Sequence, residues 1–416
     1  MVRLPVSKSE ANRVLTLLAQ TDSYQSLAER ILGTDVAHQS ATQLPNDVVV
    51  LHRAYCTALH LKGITKIEME DAGTAMRFAT AFFGLRASIG AVLLTGTERL
   101  NQRPMAALLT ALKRLGAKVL EKGGKDHPPL VIDPIPNQKA HEVWIDGSVS
   151  SQFISALLLL APSLSLGLVL YIEGTLASRP YVELTLKTMT KFGIKHILKG
   201  NSIRIARGQT IVPPALYKLE ADWSAAGYFY SLVGLCAQPG RWLALHGLLP
   251  NSAQGDKILA KIFAQLGVQT KWMKGHYHIR YHSQEARKIA IDFAPIPDQA
   301  QTIMVYCAAK GIAITATGLG TLRGKETDRI AALQAELLKL GITLAETAEG
   351  VFEIAGTLNI QAKAVAIATY ADHRMAMAFA PLRALCNVDF DDETVVRKSF
   401  PAFWQTFAAA LRFLKS

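Results

Sequence analysis

The chain has 416 residues, half of them apolar and 19% charged, and a formal net charge of +12. That length exceeds one ordinary core, so two or three domains are expected, and the composition excludes a disordered chain. The positive charge fits nucleic acid, an anionic membrane or small anions. Its cations occur in runs of no more than two or three among short polar motifs, which favours small anionic ligands.

In chain order, Ser7-Lys8-Ser9-Glu10-Ala11-Asn12-Arg13 comes first, followed by the apolar run Val14-Leu15-Leu17-Leu18. Ser7 and Glu10 have capping-box spacing and predict a helix start. Capping leaves Lys8 and Arg13 unexplained, because cations in a first turn oppose the helix dipole. Asp71-Ala72-Gly73-Thr74-Ala75-Met76-Arg77 places a glycine, a hydroxyl and an arginine at a second helix start. A glycine there allows close backbone approach to a ligand, while a plain Asp N-cap is the structural alternative. Arg99 and Arg103-Pro104 follow the strand-like Val92-Leu93-Leu94-Thr95 and precede another helix.

Asp146-Gly147-Ser148-Val149-Ser150-Ser151-Gln152 leads into a nearly all-apolar helix. Its hydroxyls and amide can satisfy the helix's free N–H groups or bind phosphate oxygens. Ile154 to Ile172 carries no charge over nineteen residues, long enough to span a bilayer. Pro162 and Gly167 interrupt it, so a buried helix to about Ala161 and a strand from about Leu166 are expected, with no membrane partner. Ser178-Arg179-Pro180-Tyr181 marks a further helix start. Asp298, after Pro295-Ile296-Pro297, is expected to begin and cap a helix. Lys325-Glu326-Thr327-Asp328-Arg329 precedes a helix with Ile330, Leu333, Leu337 and Leu340 on one face and Gly341 as its stop. Four charges and a hydroxyl at such an end read as an anion site with a carboxylate, Glu326, held inside it. Asp372-His373-Arg374 enters the apolar Met375–Phe379 stretch, a costly arrangement unless the ionisable groups are paired. Lys398-Ser399-Phe400-Pro401 closes the series.

A repeat underlies these motifs. Leu115-Gly116, Phe192-Gly193, Leu266-Gly267 and Leu340-Gly341 each end an amphipathic helix and precede a short strand-like run. Their glycines lie 77, 74 and 74 residues apart. Each glycine suits a helix C-terminus, where φ > 0 costs it nothing. The period fits a small α/β unit, with room for five to six, and the first, around residues 20 to 65, is poorly marked.

Cys56, Cys236, Cys307 and Cys386 are isolated, in mostly apolar and helical settings. They read as reduced buried thiols of a cytoplasmic protein, with no metal spacing. Arg3, Lys8 and Glu10 interrupt any apolar leader. There is no P-loop, since Gly324-Lys325 lacks the earlier glycine, and no nucleophile elbow or zinc motif. The chemistry therefore rests on carboxylates, cations and His373, as proton transfer on a polyanionic substrate with no metal and no cofactor.

Nine stretches in this order resemble the 5-enolpyruvylshikimate-3-phosphate synthases of the enolpyruvyl transferase family. They are Ser7–Arg13, Asp71–Arg77, Arg103-Pro104, Asp146–Gln152, Ser178–Tyr181, Pro297-Asp298, Lys325–Arg329, Asp372–Met377 and Lys398–Pro401. The resemblance implies an α/β (α+β) fold of two similar domains, each of three βαβαββ units in an inside-out α/β barrel, with the active-site cleft between them. Residues 8–220 would form one domain, and residues 1–7 plus 221–416 the other, completed by the returning chain. The implied reaction transfers the enolpyruvyl group of phosphoenolpyruvate to the 5-hydroxyl of shikimate 3-phosphate, releasing phosphate, on the way to chorismate and aromatic amino acids.

By motif match, Lys8, Gly73, Arg103, Gln152, Arg329, Arg374 and Lys398 would hold phosphoenolpyruvate. Ser9, Arg13, Ser150, Ser151, Gln152, Ser178, Tyr181, Asp298 and Lys325 would hold shikimate 3-phosphate. Asp298 would take the hydroxyl proton and Glu326 would handle the proton at the methylene carbon, with Lys8 and His373 assisting. A cytoplasmic monomer that binds no nucleic acid is expected. Asp71 stands where the family usually has Asn, and Phe78 where it often has Pro. The chain also starts one strand later than the family pattern, beside the weak first unit. Two alternatives are an anion-binding paralogue without turnover and the sister transferase acting on UDP-N-acetylglucosamine. The latter carries a reactive cysteine before an Arg-Pro, whereas Gly96–Gln102 contains none.

Overall fold

The computed structural model describes residues 1–33, 44–58, 63–85, 90–133, 137–356, 358 and 364–416. It divides into two compact units of similar size. One gathers Met1–Ser7 and Glu220–Ser416 with a short piece near residue 45, and the other takes the remainder, to Leu219.

One pattern recurs in four sheets. A strand pairs in parallel with the next strand, across an intervening helix. A second helix and an antiparallel hairpin then complete the sheet, with the hairpin's second strand against the parallel pair. In the unit ending at Leu219, Thr65–Glu68 lies parallel to Val92–Thr95, which pairs with Leu130–Asp133 and through it with Lys118–Glu121. Glu142–Asp146, Leu168–Glu173, Ser202–Ile205 and Ile197–Lys199 repeat this order. In the other unit it recurs through Lys288–Asp292, Ala313–Thr317, Val351–Gly356 and Ile342–Ala348. The fourth sheet opens with Val2–Arg3, parallel to Leu243–His246, and this pairing is why the first residues belong with the C-terminal half. Two further segments are partial among the described residues. Val365–Ile367 and Val388–Phe390 form a parallel pair alone, and residues 8–58 contribute three helices.

Apolar helices fill the core. Every residue from Trp223 to Leu235 is buried, as are nine of the ten in Ser151–Leu160. The latter ends in a short 3₁₀ turn at Ala161–Ser163, and the strand after it begins at Leu168 rather than Leu166. No helix among the described residues is long and apolar enough to cross a membrane. The repeat glycines Gly116, Gly193, Gly267 and Gly341 all have positive φ, from 78° to 114°. Gly116 caps its helix directly, whereas Gly341 follows an extra turn after Leu338. The cysteines are all free, but only Cys307 is buried, and Cys386 lies in a turn outside any helix. Apolar sequence context therefore overstated their burial.

The repeat also positions the polar motifs. In each unit the first helix starts just beyond the C-terminal end of the first parallel strand. Gly73–Leu85 follows Thr65–Glu68, Ser151–Leu160 follows Glu142–Asp146, and His373–Phe379 follows Val365–Ile367. Arg179–Lys191 and Arg329–Leu338 are second helices in the same role. Free N–H groups and polar side chains thus collect at equivalent ends of successive units.

Candidate active site

In the C-terminal unit, seven charged side chains form one cluster around Arg329. Asp328 is the N-cap of the helix Arg329–Leu338, its carboxylate accepting from the Ile330 and Ala331 N–H groups. That start places Arg329, 1% exposed, among three carboxylates. Its Nε donates to Asp372 Oδ2 at 2.7 Å, its Nη1 to Asp298 Oδ1 at 3.1 Å and its Nη2 to Glu326 Oε2 at 2.9 Å. Burial alone would lower the Arg329 pKa, but Asp372, Glu326 and Asp298 raise it and keep the guanidinium charged.

Asp298 joins the neighbouring cations. Arg374 Nη2 donates to its Oδ2 at 2.8 Å, and Lys325 Nζ lies 3.7 Å from its Oδ1. Burial favours the neutral acid, but Arg374, Lys325 and Arg329 outweigh it and hold the carboxyl well below the usual carboxylate range. Lys398 Nζ lies 3.3 Å from Glu326 Oε1. Four cations thus surround three carboxylates in ion pairs with good geometry, which is what keeps buried charge tolerable. Asp298 does not cap a helix as expected. It occupies a 3₁₀ turn, Pro297–Gln299, and the helix begins at Ala300. The pull of two arginines on its carboxylate outcompetes a local N–H.

Asp372 does cap: its Oδ1 accepts from the Arg374 N–H at 2.9 Å while the same carboxylate grips Arg329. His373 is 1% exposed, with Nδ1 3.6 Å from Asp372 Oδ1. All three ionisable residues entering this apolar helix therefore have charged neighbours.

In the other unit, Lys8 and Ser9 start the helix Lys8–Leu18. Lys8 Nζ lies 3.0 Å from the buried Asp47 carboxylate. Gly73 lies under Arg103: a Cβ there would collide with Arg103 Nη1 and approach Arg77 Nη1 to 3.3 Å. Arg77 in turn donates to the Gly73 carbonyl at 3.0 Å. Two guanidiniums are thus gathered over one glycine. Gln152 Nε2 reaches Thr74 Oγ1 at 3.2 Å, and Ser150 caps its helix by accepting from the Gln152 N–H. Ser151 is buried at that helix start. Ser178 sits in the left-handed region at φ 55°, its side chain making no cap bond. Glu70, beside Asp71, takes Arg53 at 2.7 Å and Asn46 at 2.7 Å.

Arg13 is held by several protein groups. It is 2% exposed, and its donors reach Ser9 O, Tyr181 O, Thr185 Oγ1 and Ser155 Oγ. Burial lowers its pKa to about 10. In this arrangement it braces the backbone of two expected contact residues, Ser9 and Tyr181.

Sequence reasoning missed Asp47 as a partner of the site and named Arg77 and Asp372 only within their motifs, without a role of their own. For Asp372 the signal was present, as a capping residue beside a costly buried arginine. For Asp47 the partner lies 39 positions away, and nothing local marks it.

Residues 1–407 match the family model of EPSP synthase (3-phosphoshikimate 1-carboxyvinyltransferase). A 3-phosphoshikimate 1-carboxyvinyltransferase of Bacteroides fragilis (strain YCH46) is 36% identical over 98% of this chain and 94% of its own length. One from Sulfurovum sp. (strain NBC37-1) is 34% identical over 97% and 95%. A solved structure of EPSP synthase from Acinetobacter baumannii matches in fold with a TM-score of 0.70 at 19% identity, over 98% of this chain and 96% of that one. The chain belongs to the EPSP synthase family, transferases of the shikimate pathway.

Proposed function

We propose that the residues assembled above carry out the family's reaction, transfer of the enolpyruvyl group of phosphoenolpyruvate to the 5-hydroxyl of shikimate 3-phosphate. The observation that carries this reading is the cluster around Arg329, where two carboxylates suited to proton transfer sit among four cations. Lys8, Gly73, Arg103, Gln152, Arg329, Arg374 and Lys398 hold phosphoenolpyruvate. Bidentate arginines match both its carboxylate and its phosphate. Ser9, Arg13, Ser150, Ser151, Gln152, Ser178, Tyr181, Asp298 and Lys325 hold shikimate 3-phosphate, and Arg13 also braces Ser9 and Tyr181.

Asp298 accepts the proton of the attacking hydroxyl as its oxygen bonds to C2 of phosphoenolpyruvate. Glu326, protonated from solvent once substrate anions replace it as the partner of Arg329 and Lys398, delivers a proton to the methylene carbon. The resulting tetrahedral intermediate then loses phosphate, which takes up the proton held by Asp298, and Glu326 recovers a proton from the methyl group, restoring the double bond. Substrate anions exchange with Asp298 and Glu326 as partners of Arg374, Arg329 and Lys398. This exchange frees both carboxylates at the moment they are needed.

The two compact units correspond, in this reading, to two enolpyruvyl transferase domains, and the protein acts as a cytoplasmic monomer. Sedimentation of the purified chain as a dimer would refute the last point. For the mechanism, Glu326→Gln should abolish turnover while shikimate 3-phosphate still binds by calorimetry. Retained turnover would remove Glu326 from proton transfer.

A further inference from the structure

We propose that Asp256 is a positioning residue for the reaction: through Gln299 it fixes the short turn that carries Asp298. The inference rests on the role of Asp298 proposed above. Asp256 is 4% exposed and sits in the 3₁₀ turn Gly255–Ile258. One of its oxygens, Oδ2, accepts both the Gln299 Nε2 at 2.7 Å and the Ser224 hydroxyl. Ser224 belongs to the start of the buried helix Trp223–Cys236, capped by Asp222. Gln299 directly follows Asp298, so the turn Pro297–Gln299 is held from two sides. The carboxylate of Asp298 is drawn toward Arg374, Arg329 and Lys325, and its carbonyl accepts from Arg374 at 3.2 Å. The next side chain is drawn to Asp256.

Two observations indicate that this anchor is built rather than incidental. First, the buried helix contains Gly227 where Gln299 passes. A Cβ there would lie 2.5 Å from Gln299 Oε1. Glycine in a helix interior is unfavourable relative to alanine, and the space it leaves is occupied by this amide. Second, Asp256 forms no close ion pair with a Lys or Arg among the described residues, Arg374 acting on it only at longer range against the opposing charge of Asp298, and both its hydrogen-bond donors are neutral. A buried carboxylate so placed is a poor choice for stability. Burial pushes its carboxyl up to about 6, partly opposed by the Ser224 bond. A neutral Asn would accept the same donors without that penalty. The charge is therefore retained for what it does to Gln299, holding the amide more tightly than a neutral acceptor. A small displacement of the turn moves Asp298 away from the hydroxyl it deprotonates, and errors of about 1 Å cost on the order of 100-fold in rate.

The test is steady-state kinetics on the full chain for Asp256→Asn, Gln299→Leu and the double variant, with melting temperatures. The expected result is a kcat lower by about 10-fold or more in each single variant. The double variant is expected to show the same loss as either single, because both act through one hydrogen bond. KM for phosphoenolpyruvate should stay within about twofold, and Asp256→Asn should melt no lower than the parent. Gly227→Ala, which pushes the amide from the other side, should lower kcat likewise. An unchanged kcat in folded Asp256→Asn overturns the proposal. So does a loss of folding in Asp256→Asn, which would assign the residue to stability, or multiplicative losses in the double variant. Asp298→Ala separates the two levels: turnover retained there refutes the role of Asp298 itself. Turnover lost there but intact in Asp256→Asn refutes only the positioning.

Discussion

Asp372 offers the sharpest single perturbation, because one carboxylate performs two separable tasks. It caps the helix His373–Phe379 through the Arg374 N–H, and it holds the buried Arg329 through Nε at 2.7 Å and Nη2 at 3.3 Å. Asp372→Asn keeps a competent N-cap and removes the charge. Breaking a buried pair on one side costs ~3–5 kcal/mol. Arg329 retains Asp298 and Glu326 here, so the lower end, about 3 kcal/mol, is expected. Asp372→Ala loses the cap as well and should cost about 1 kcal/mol more. Urea unfolding of the two variants beside the parent measures both numbers. The reasoning also predicts that Arg329 turns toward Glu326 and Asp298, so kcat falls in both variants. If Asp372→Asn is within about 0.5 kcal/mol of the parent, a value typical of innocuous surface changes, the cluster is not the cooperative unit described. If Asn and Ala are equally destabilising, the cap contributes nothing.

Other expectations follow from the same geometry. Gly73→Ala should raise KM for phosphoenolpyruvate several-fold with little change in melting temperature, because the new methyl displaces the flexible end of Arg103 rather than backbone. An unchanged KM would remove Arg103 from phosphoenolpyruvate binding. Gly234→Ala, whose Cβ would strike the buried Tyr306 ring, should destabilise by ~1–3 kcal/mol in urea. A neutral result would show that the helix Trp223–Cys236 can shift. Burial raises the folded-state pKa of Asp256 from 3.8 to about 6. Its stabilising contribution is therefore full below pH 3.8 and is lost as pH rises through 6. The ionised group then costs about 3 kcal/mol. The stability of the parent relative to Asp256→Asn should fall by about that amount between about pH 4 and about pH 7. A difference independent of pH would contradict the assignment.

The local parts of this site were legible in the sequence, and the long-range parts were not. Helix starts at Gly73, Ser151, Arg179, Arg329 and His373 follow from capping residues and apolar periodicity within a few positions. The glycines at 116, 193, 267 and 341 revealed the repeat because positive φ demands glycine where the chain turns back toward its hairpin. The pairing of Arg329 with Asp298 and Asp372 joins residues 31 and 43 positions apart, and no periodicity encodes that. The bracing role of Arg13 was hidden for the same reason. Its four acceptors include residues more than 140 positions away, so a motif arginine could not be told from a structural brace. The helix start was placed wrongly at Asp298 because a cap is the cheapest local use of an Asp after Pro, and only the folded chain brings two arginines to it.

Phosphate release from phosphoenolpyruvate by the purified chain, with and without shikimate 3-phosphate, tests the central claim most directly. The account predicts release that requires shikimate 3-phosphate, is not supported by UDP-N-acetylglucosamine, and is lost in Glu326→Gln. No release from well-folded protein that still binds shikimate 3-phosphate would contradict it and favour an anion-binding paralogue without turnover.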